Sequence, residues 1–283
     1  GEKFSGWGLD SINLPAKVIS NNEVTVAVLD TGIDSTHEFL SKNIVDSYDF
    51  SKTGNGDNHG HGTHVAGIIK SVFPKVKLIS LKYYNPNASG KESLEATLAG
   101  LRKAVELNVD IINYSGGGPE SSDEELAILK EAEKKGILVV CAAGNDSANI
   151  DEKKNAFYPA AYGLSNIITV ASYDEDLKIV DSSNYGKKVV DIFAPGKRIK
   201  SSLPLNRAGF LTGTSQATPF VAGVAALLKS QDRSLTPARI KEIIRSSAKT
   251  EKTLKAYVNS NGRLDASKAL GTKTNTLSKT AGI

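Results

Sequence analysis

The chain has 283 residues, of which 40% are hydrophobic and 23% charged, ordinary values for a soluble globular protein with a substantial core. Its formal net charge of +4 comes from 35 basic and 31 acidic residues scattered along the chain, which excludes a nucleic-acid-binding stripe or a polybasic membrane patch. The single cysteine, Cys141, excludes an internal disulfide and a multi-cysteine zinc site, and no apolar stretch reaches the roughly 20 residues of a membrane span.

Apolar, β-branched segments alternate with amphipathic ones, which indicates strands that alternate with helices. The predicted strands cover residues 23–30, 76–84, 109–115, 136–144, 166–172 and 189–196. The predicted helices cover residues 62–72, 91–108, 122–135, 214–230 and 236–248. Because the strands are continuously apolar, we predict an α/β fold in three layers, α/β/α, with helices on both faces of a mostly parallel central sheet.

No internal repeat and no linker divides the chain. We therefore predict a single domain over residues 1–270. Residues 271–283 are polar and aperiodic, which predicts a loose, flexible C-terminal tail.

Polar residues and glycines follow three of the predicted strands. Asp30 begins Asp-Thr-Gly, Ser115 begins Ser-Gly-Gly-Gly, and Asn145 ends Ala-Gly-Asn. Open parallel sheets bind ligands beyond the carboxyl ends of their strands. The three strand ends therefore predict one common site.

The four histidines allow two interpretations. Three of them, His59, His61 and His64, fall in HGHGTH, a spacing found in some metal clusters. Against a metal site, no histidine follows His64, and Thr63 stands where that pattern carries an aspartate. The second interpretation is acid–base catalysis, in which a histidine beside a strand-end carboxylate takes a proton from a hydroxyl nucleophile.

Two further motifs also have competing interpretations. Ser215, in GTSQATPFVAG, is either the capping residue of a buried helix or a nucleophile that small neighbours leave accessible. The Asp-Thr-Gly at Asp30 is also a signature of aspartic proteases, but those enzymes need two such carboxylates, and the sequence has one copy.

Taken in chain order, the motifs are Asp30 in VAVLDTGID, His61 in HGHGTHVAG, Asn145 in CAAGND and Ser215 in GTSQATP. This arrangement resembles the subtilisin family of serine proteases, from WGLDSINLPA near the start to GRLDASKAL near the end. The resemblance implies a serine endopeptidase that works through an acyl-enzyme. Ser215 would be the nucleophile, His61 the general base and acid, Asp30 the residue that orients the imidazole, and Asn145 the oxyanion donor.

The resemblance also implies the substrate-binding residues. Ser115, Gly116 and Gly117 would form the edge to which a peptide adds as a β-strand. Ala142, Ala143 and Gly144 would form the opposite wall of the primary specificity pocket. Near that pocket, Asp146 at the rim would favour a basic or polar substrate residue, whereas Phe157 would narrow the pocket floor, and the sequence does not rank the two effects. The remaining histidines are interpreted as structural (His64) or solvated (His37 and His59).

Two departures from the family pattern concern stability. The family's calcium site normally uses an aspartate shortly after DTGID and an insertion after the HGTHVAG helix. Here Phe39 stands at the aspartate position, and IIKSVFPKVKLISL passes from helix to strand without a long loop. We therefore expect that the strong calcium site is missing, that no metal is bound there and that no cofactor is required. Gln216 stands where the family commonly has an easily oxidised methionine.

The expected partner is a peptide or protein substrate, with no nucleic-acid or membrane partner, and the expected state is a monomer. The chain begins at Gly1 without a methionine, so we expect a mature domain whose N-terminal propeptide has been removed. A secreted or extracellular enzyme is expected, although the family has intracellular members too. The alternative is a catalytically silent subtilase-fold module that only binds peptides, and the intact catalytic positions favour the enzyme.

Overall fold

The computed structural model describes residues 3–271. The strands are β1 (Thr25–Asp30), β2 (Ile44–Asp49), β3 (Lys77–Lys82), β4 (Ile111–Tyr114), β5 (Leu138–Ala142), β6 (Ile167–Tyr173), β7 (Ile192–Pro195), β8 (Ile199–Leu203), β9 (Arg207–Leu211), β10 (Lys249–Thr250) and β11 (Gly262–Arg263). The longer helices are α2 (His61–Val72), α3 (Gly90–Glu106), α4 (Asp123–Lys134), α5 (Thr214–Gln231) and α6 (Pro237–Ser246), preceded by the short α1 (Trp7–Ser11).

Nine of these strands form one sheet in the order β10-β11-β7-β6-β5-β4-β1-β3-β2, and β8 pairs with β9 in a separate hairpin. The pairs from β2 to β7 are parallel, and β10 runs antiparallel to β11 at one edge. Successive residues of a strand serve opposite faces, since Val26 and Val28 pack into one hydrophobic cluster and Ala27 and Leu29 into the other. The predicted α/β fold is confirmed.

The two clusters assign the helices to the two faces. Residues of α2, α5 and α6 share a cluster on one side of the sheet, and residues of α3 and α4 share the cluster on the other side. Continuous apolar strands such as Leu138–Ala142 are buried along their whole length because helices cover both faces. This is the three-layer arrangement expected from the sequence.

Helix α5 runs through the centre of its layer. Its buried residues are Thr214 to Leu228 and Ser230, so it has no solvated face for most of its length. A Cβ on Gly223 would lie 2.6 Å from Cβ of Val72, which means that the glycine allows α5 and α2 to approach closely. Gly223 of α5 therefore serves close helix packing.

The sequence did not predict β2 or the β8–β9 hairpin. Strand β2 lies at the sheet edge and has no fully buried residue, so it lacks the continuous apolar character of the central strands. The hairpin turns at Leu205 and Asn206, both with positive φ (64° and 55°), and this turn has none of the Asn-Gly or Asp-Gly signals typical of such hairpins.

Strand β1 lies between β4 and β3, so the strand order changes direction there. Strands β2 and β3 lie on one side of β1, and β4 to β7 extend on the other. A ligand crevice is expected outside the carboxyl ends of the strands at such a switch point. Asp30, the last residue of β1, lies at that point.

Within the described residues, none of the helices combines the length and apolar character needed to span a bilayer. The predicted tail, 271–283, lies outside the described residues apart from its first residue.

Candidate active site

Asp30 and His61 form a hydrogen-bonded pair at the switch point. Asp30 ends β1, His61 begins α2, and Nδ1 of His61 lies 2.7 Å from Oδ1 of Asp30. The same oxygen accepts the N–H of Thr31 at 2.7 Å, which orients the carboxylate. Because Nδ1 faces a carboxylate, it carries the proton, and Nε2 is left as the basic nitrogen.

Two opposing effects act on the pKa of His61. Burial of the imidazole favours the neutral ring, but the charge of Asp30, its hydrogen bond and the charge of Asp57 favour the protonated ring. The carboxylates outweigh burial, so the pKa of His61 is raised above its usual 6.5. An imidazolium formed during a proton transfer would therefore be stabilised.

Gly62 allows the first turn of α2 to approach β1. A Cβ on Gly62 would lie 2.0 Å from the carbonyl oxygen of Gly32 and 3.2 Å from Cβ of Asp30. The N–H of Gly62 donates to Oγ1 of Thr31 at 2.8 Å. A larger residue at position 62 would push His61 away from its carboxylate.

Asp57 organises the loop before His61, and sequence analysis missed it. Its buried carboxylate accepts hydroxyl groups from Thr31 (2.9 Å) and Thr63 (2.6 Å). It also accepts the N–H groups of Gly60 (2.8 Å) and Thr63 (3.0 Å). The available signal was an aspartate four residues before the first residue of α2, in DNHGHGTH, where a carboxylate can accept backbone N–H groups. Asp57 is a positioning residue that also places a second negative charge near His61.

Ser215 is the second residue of α5 and is 8% exposed. Its hydroxyl donates to the carbonyl of Ser115 at 3.1 Å. In the pairing of β1 with β4, Leu29 lies opposite Tyr114, so the next residues, Asp30 and Ser115, leave the sheet side by side. Neighbouring strands lie about 5 Å apart, so Ser215 is held at the strand end adjacent to the one that carries Asp30.

The exposed side chain of Asn145 is held in place through its carbonyl oxygen. Its Oδ1 accepts the N–H of Thr214 at 2.9 Å and the hydroxyl of Thr214 at 3.1 Å. The Nδ2 group is therefore available to a ligand. The N–H of Ser215 belongs to the first turn of α5, where N–H groups have no acceptor within the helix. Two donors are thus placed at one helix N-terminus, where an oxyanion would be stabilised.

A family model described as the subtilase family matches residues 21–273 of this chain. The chain belongs to the subtilase family.

Individual subtilases agree with this assignment. The chain is 37% identical over 253 residues to the "Major intracellular serine protease" of Bacillus subtilis, with 83% of this chain and 78% of that protein covered. It is 38% identical over 254 residues to the "Thermostable alkaline protease" of Halalkalibacterium halodurans, with 86% and 67% covered. A solved cold-adapted subtilisin-like serine proteinase superposes with a TM-score of 0.79 at 30% identity, over 94% of this chain and 99% of that one. The chain is a subtilisin-like serine endopeptidase, and the silent binding module is not favoured.

In this subtilase, the two segments expected to bind substrate leave adjacent strands. Tyr114 lies opposite Cys141 in the pairing of β4 with β5, so Ser115–Gly117 and Ala142–Gly144 continue as neighbouring walls. Ser115, Ala142 and Ala143 are buried, Gly116 is half-buried, and Gly117 is exposed. Gly117 has no hydrogen-bond partner among the described residues. Its backbone is thus available for a peptide strand.

Asn184 supports the second wall and was also missed by sequence analysis. Its amide donates to the carbonyl of Ala143 at 2.9 Å, and its backbone N–H donates to that of Gly144 at 2.8 Å. Its Oδ1 accepts the N–H groups of Asp146 (2.9 Å) and Ala148 (3.0 Å). Asn184 lies in a polar loop, SSNYG, where no periodic pattern marks it. It ties the wall to the loop that carries Asn145.

Within the range that the structure describes, no three histidine, cysteine or acidic side chains form a group that could hold a metal ion. His59 is exposed, and its ring contacts Tyr84 edge-to-face at 5.1 Å. His64 is fully buried, with Nε2 lying 2.9 Å from the carbonyl of Ile199, and burial lowers its pKa to about 4. The prediction that His37 is solvated is wrong, because His37 is 5% exposed and its Nε2 lies 2.9 Å from a hairpin carbonyl, that of Arg207.

Proposed function

We propose that Ser215, His61 and Asp30 are the catalytic triad of this endopeptidase. The observation that carries the proposal is the His61–Asp30 pair, which leaves Nε2 of His61 as the basic nitrogen. Ser215 is held at the adjacent strand end through its bond to Ser115. On substrate binding, the Ser215 hydroxyl exchanges its bond to the Ser115 carbonyl for one to Nε2 of His61. Oγ then attacks the scissile carbonyl as His61 takes its proton, and Asp30 stabilises the imidazolium.

The tetrahedral oxyanion is held by the Nδ2 group of Asn145 and the N–H of Ser215. His61 next gives its proton to the departing amine, and the C–N bond breaks to leave an acyl-enzyme on Ser215. Water attacks this ester with His61 again as the base. Oγ leaves, receives the proton from His61, and the acid product is released.

The peptide is proposed to add as a β-strand at Ser115–Gly117, facing the wall formed by Ala142–Gly144. Two features support this: the exposed backbone of Gly117 and the position of both segments beyond the carboxyl ends of β4 and β5. Main-chain hydrogen bonds would give affinity, and the gap between the walls would select the side chain before the scissile bond.

A serine-directed fluorophosphonate tests the triad. The expected result is one label per chain, located on Ser215 by peptide mass spectrometry, together with loss of peptidase activity. Ser215→Ala should abolish labelling and lower turnover by several orders of magnitude with an unchanged fold, and His61→Ala should cost about as much. A label on another serine, or activity that survives in Ser215→Ala, would contradict the assignment. Binding of peptides without labelling would indicate the silent module.

We also propose that this subtilase needs no calcium at the usual family site, because the residues there do not fit the ion. The ring of Phe39 contacts Phe4 edge-to-face at 4.6 Å. The Lys70 ammonium lies 4.5 Å from the Phe39 ring centroid and donates to the Phe39 carbonyl at 2.5 Å. The Lys70 ammonium thus places a positive charge at this position, and that charge would repel a divalent ion. Helix α2 also runs unbroken to Val72, and only a short connection separates it from β3.

The propeptide and the monomeric state expected from the resemblance stay predictions. Relatives from Bacillus subtilis and Paenibacillus polymyxa carry the word intracellular in their names. The secreted location expected from the sequence therefore also stays a prediction.

A further inference from the structure

The aromatic ring of Phe157 occupies the gap between the two proposed pocket walls. A Cβ on Gly117 would lie 2.6 Å from Cε1 and 2.9 Å from Cζ of this ring. A Cβ on Gly144 would lie 3.0 Å from Cε2 and 3.1 Å from Cζ. The tip of the ring is therefore in close contact with both glycines at once. The ring of Phe157 therefore fills the space between Gly117 and Gly144.

The backbone next to Phe157 is held against the first wall. Tyr158 and Gly118 exchange two backbone hydrogen bonds, from N of Tyr158 to O of Gly118 (2.7 Å) and from N of Gly118 to O of Tyr158 (3.1 Å). This antiparallel bridge lies one residue from Phe157 and one residue from Gly117. The ring is thus anchored by the same strand edge that is proposed to bind substrate.

Asp146 has a different position. Its side chain is exposed, and its described contact is a backbone one, from its N–H to Oδ1 of Asn184 at 2.9 Å. A solvated carboxylate at a rim contributes little selectivity because water screens it. Steric exclusion by a ring between two walls does not depend on charge or salt. Of the two effects left open by the sequence, the geometry favours Phe157.

We propose that Phe157 is a specificity-determining residue that closes the primary pocket, so that this endopeptidase cleaves after small residues such as alanine or serine. Larger side chains before the scissile bond would have to displace the ring or the Gly118–Tyr158 bridge. The proposal rests on the proposed triad and substrate-binding edge, and it adds the substrate class that those residues accept.

The experiment uses a series of tetrapeptide p-nitroanilides that differ only in the residue before the scissile bond. For the wild-type enzyme, kcat/KM for alanine should exceed that for phenylalanine by about tenfold or more, since a filled pocket rejects the larger group. Phe157→Ala should raise kcat/KM for the phenylalanine substrate by about tenfold or more, with much less change for alanine. Phe157→Leu should give an intermediate ratio, which keeps the test decisive if Phe157→Ala folds poorly.

Two matched variants serve as controls. Phe157→Tyr keeps the ring and should keep the wild-type ratio, and Asp146→Ser removes the rim carboxylate and should also leave the ratio unchanged. A wild-type enzyme that prefers phenylalanine, or a ratio that does not move in Phe157→Ala, would overturn the proposal. Fluorophosphonate labelling of Ser215 in the same preparations distinguishes this failure from failure of the triad, because a labelled enzyme with an unchanged ratio contradicts only the role of Phe157.

Discussion

Ser115 and Ser215, 100 residues apart in the chain, exchange two hydrogen bonds. The hydroxyl of each donates to the carbonyl of the other, and both distances are 3.1 Å. The carbonyl of Ser215 is available because Pro219, four residues further along α5, has no N–H to donate to it. Asn113 donates to the Ser115 hydroxyl at 3.0 Å and thereby directs its proton towards Ser215. Pro219 thus leaves the Ser215 carbonyl without a partner inside the helix, and the Ser115 hydroxyl supplies that partner.

Ser115→Ala should destabilise the protein by about 1–3 kcal/mol, because the buried carbonyl of Ser215 loses its partner. Pro219→Ala supplies an N–H at that position, so the double variant should recover most of the loss. Thermal melts of the fluorophosphonate-inhibited enzyme measure this, with roughly 2–4 °C expected per kcal/mol. Additive effects of the two substitutions would show that the Ser115 hydroxyl and the missing N–H are unrelated.

The acid limb of kcat/KM should have its midpoint above pH 6.5. Protonated His61 cannot accept the Ser215 proton, and the carboxylates of Asp30 and Asp57 raise the pKa of His61 despite its burial. Asp57→Asn removes one of these charges, so its limb should move to lower pH. The midpoint is the informative quantity, because the substitution also disturbs the loop and lowers the rate. Asp146→Asn serves as the surface control, and a midpoint that stays in place in Asp57→Asn would remove Asp57 from the electrostatics.

His64 should make the protein less stable in acid. Burial lowers its folded-state pKa to about 4, whereas the unfolded chain has a pKa near 6.5, so the unfolded state binds more protons between these values. Stability should fall as pH drops from 6.5 to 4, by up to about 3 kcal/mol from this residue. The pKa of His61 is raised, so this residue is mostly protonated in both the folded and the unfolded state over this pH range. Its contribution to the pH dependence of stability is therefore small.

Denaturant unfolding of the Ser215→Ala protein, which cannot digest itself, measures this pH dependence. His64→Gln keeps a donor for the carbonyl of Ile199 and does not titrate. It should therefore show a shallower loss of stability between pH 6.5 and 4. Equal slopes for the two proteins would mean that other groups cause the acid sensitivity.

Activity should survive EDTA, and the melting temperature should be nearly independent of millimolar calcium. An ion bound only to the native state stabilises it by mass action, and the proposal is that Phe39 and Lys70 take the place of the strong site at the usual position. Lys70→Met keeps the length of the side chain without its charge and should lower the melting temperature with or without calcium. The measurement is a melt of inhibited enzyme in EDTA and in excess calcium, and a rise above about 5 °C would reveal another strong site.

The enzyme should retain activity in hydrogen peroxide at concentrations that oxidise methionine. It contains no methionine, and Gln216 follows the proposed nucleophile. The single cysteine is buried, and burial raises the pKa of the Cys141 thiol to about 12, so it carries almost no reactive thiolate. Gln216→Met should introduce peroxide sensitivity, seen as a progressive loss of kcat. Equal inactivation of the wild type and Gln216→Met would indicate another oxidisable group.

Sequence reasoning found the residues that stand at the ends of strongly patterned elements. Asp30 ends a buried strand, His61 begins a helix, and Ser215 lies in the first turn of an apolar helix, so local pattern and chemistry coincide at these positions. Asn184 lies in a polar loop, and its amide donates to the carbonyl of Ala143, 41 residues earlier in the chain, so this contact forms only when distant segments meet. Asp57 also lies in a polar loop, but it accepts the N–H of Gly60 just before α2, which is a local signal that the sequence analysis did not use. No local pattern marks a residue such as Asn184.

The error at His37 has a traceable cause. This histidine is covered by the β8–β9 hairpin, which supplies the Arg207 carbonyl. The hairpin itself was not predicted, because its strands are short and its turn at Leu205 and Asn206 has an unusual sequence. One missed long-range element was enough to misplace a residue 170 positions earlier in the chain.

The burial of α5 limits local unfolding around the proposed nucleophile, Ser215. Because the helix is enclosed along most of its length, no part of it around Ser215 can open without disrupting the layer that it shares with α2. Its interior amides should therefore exchange with solvent only through opening of the whole domain, at a free energy equal to that of global unfolding. A population of folded but locally frayed, inactive molecules is not expected. Under denaturing stress, catalytic activity and the folded fraction should disappear together.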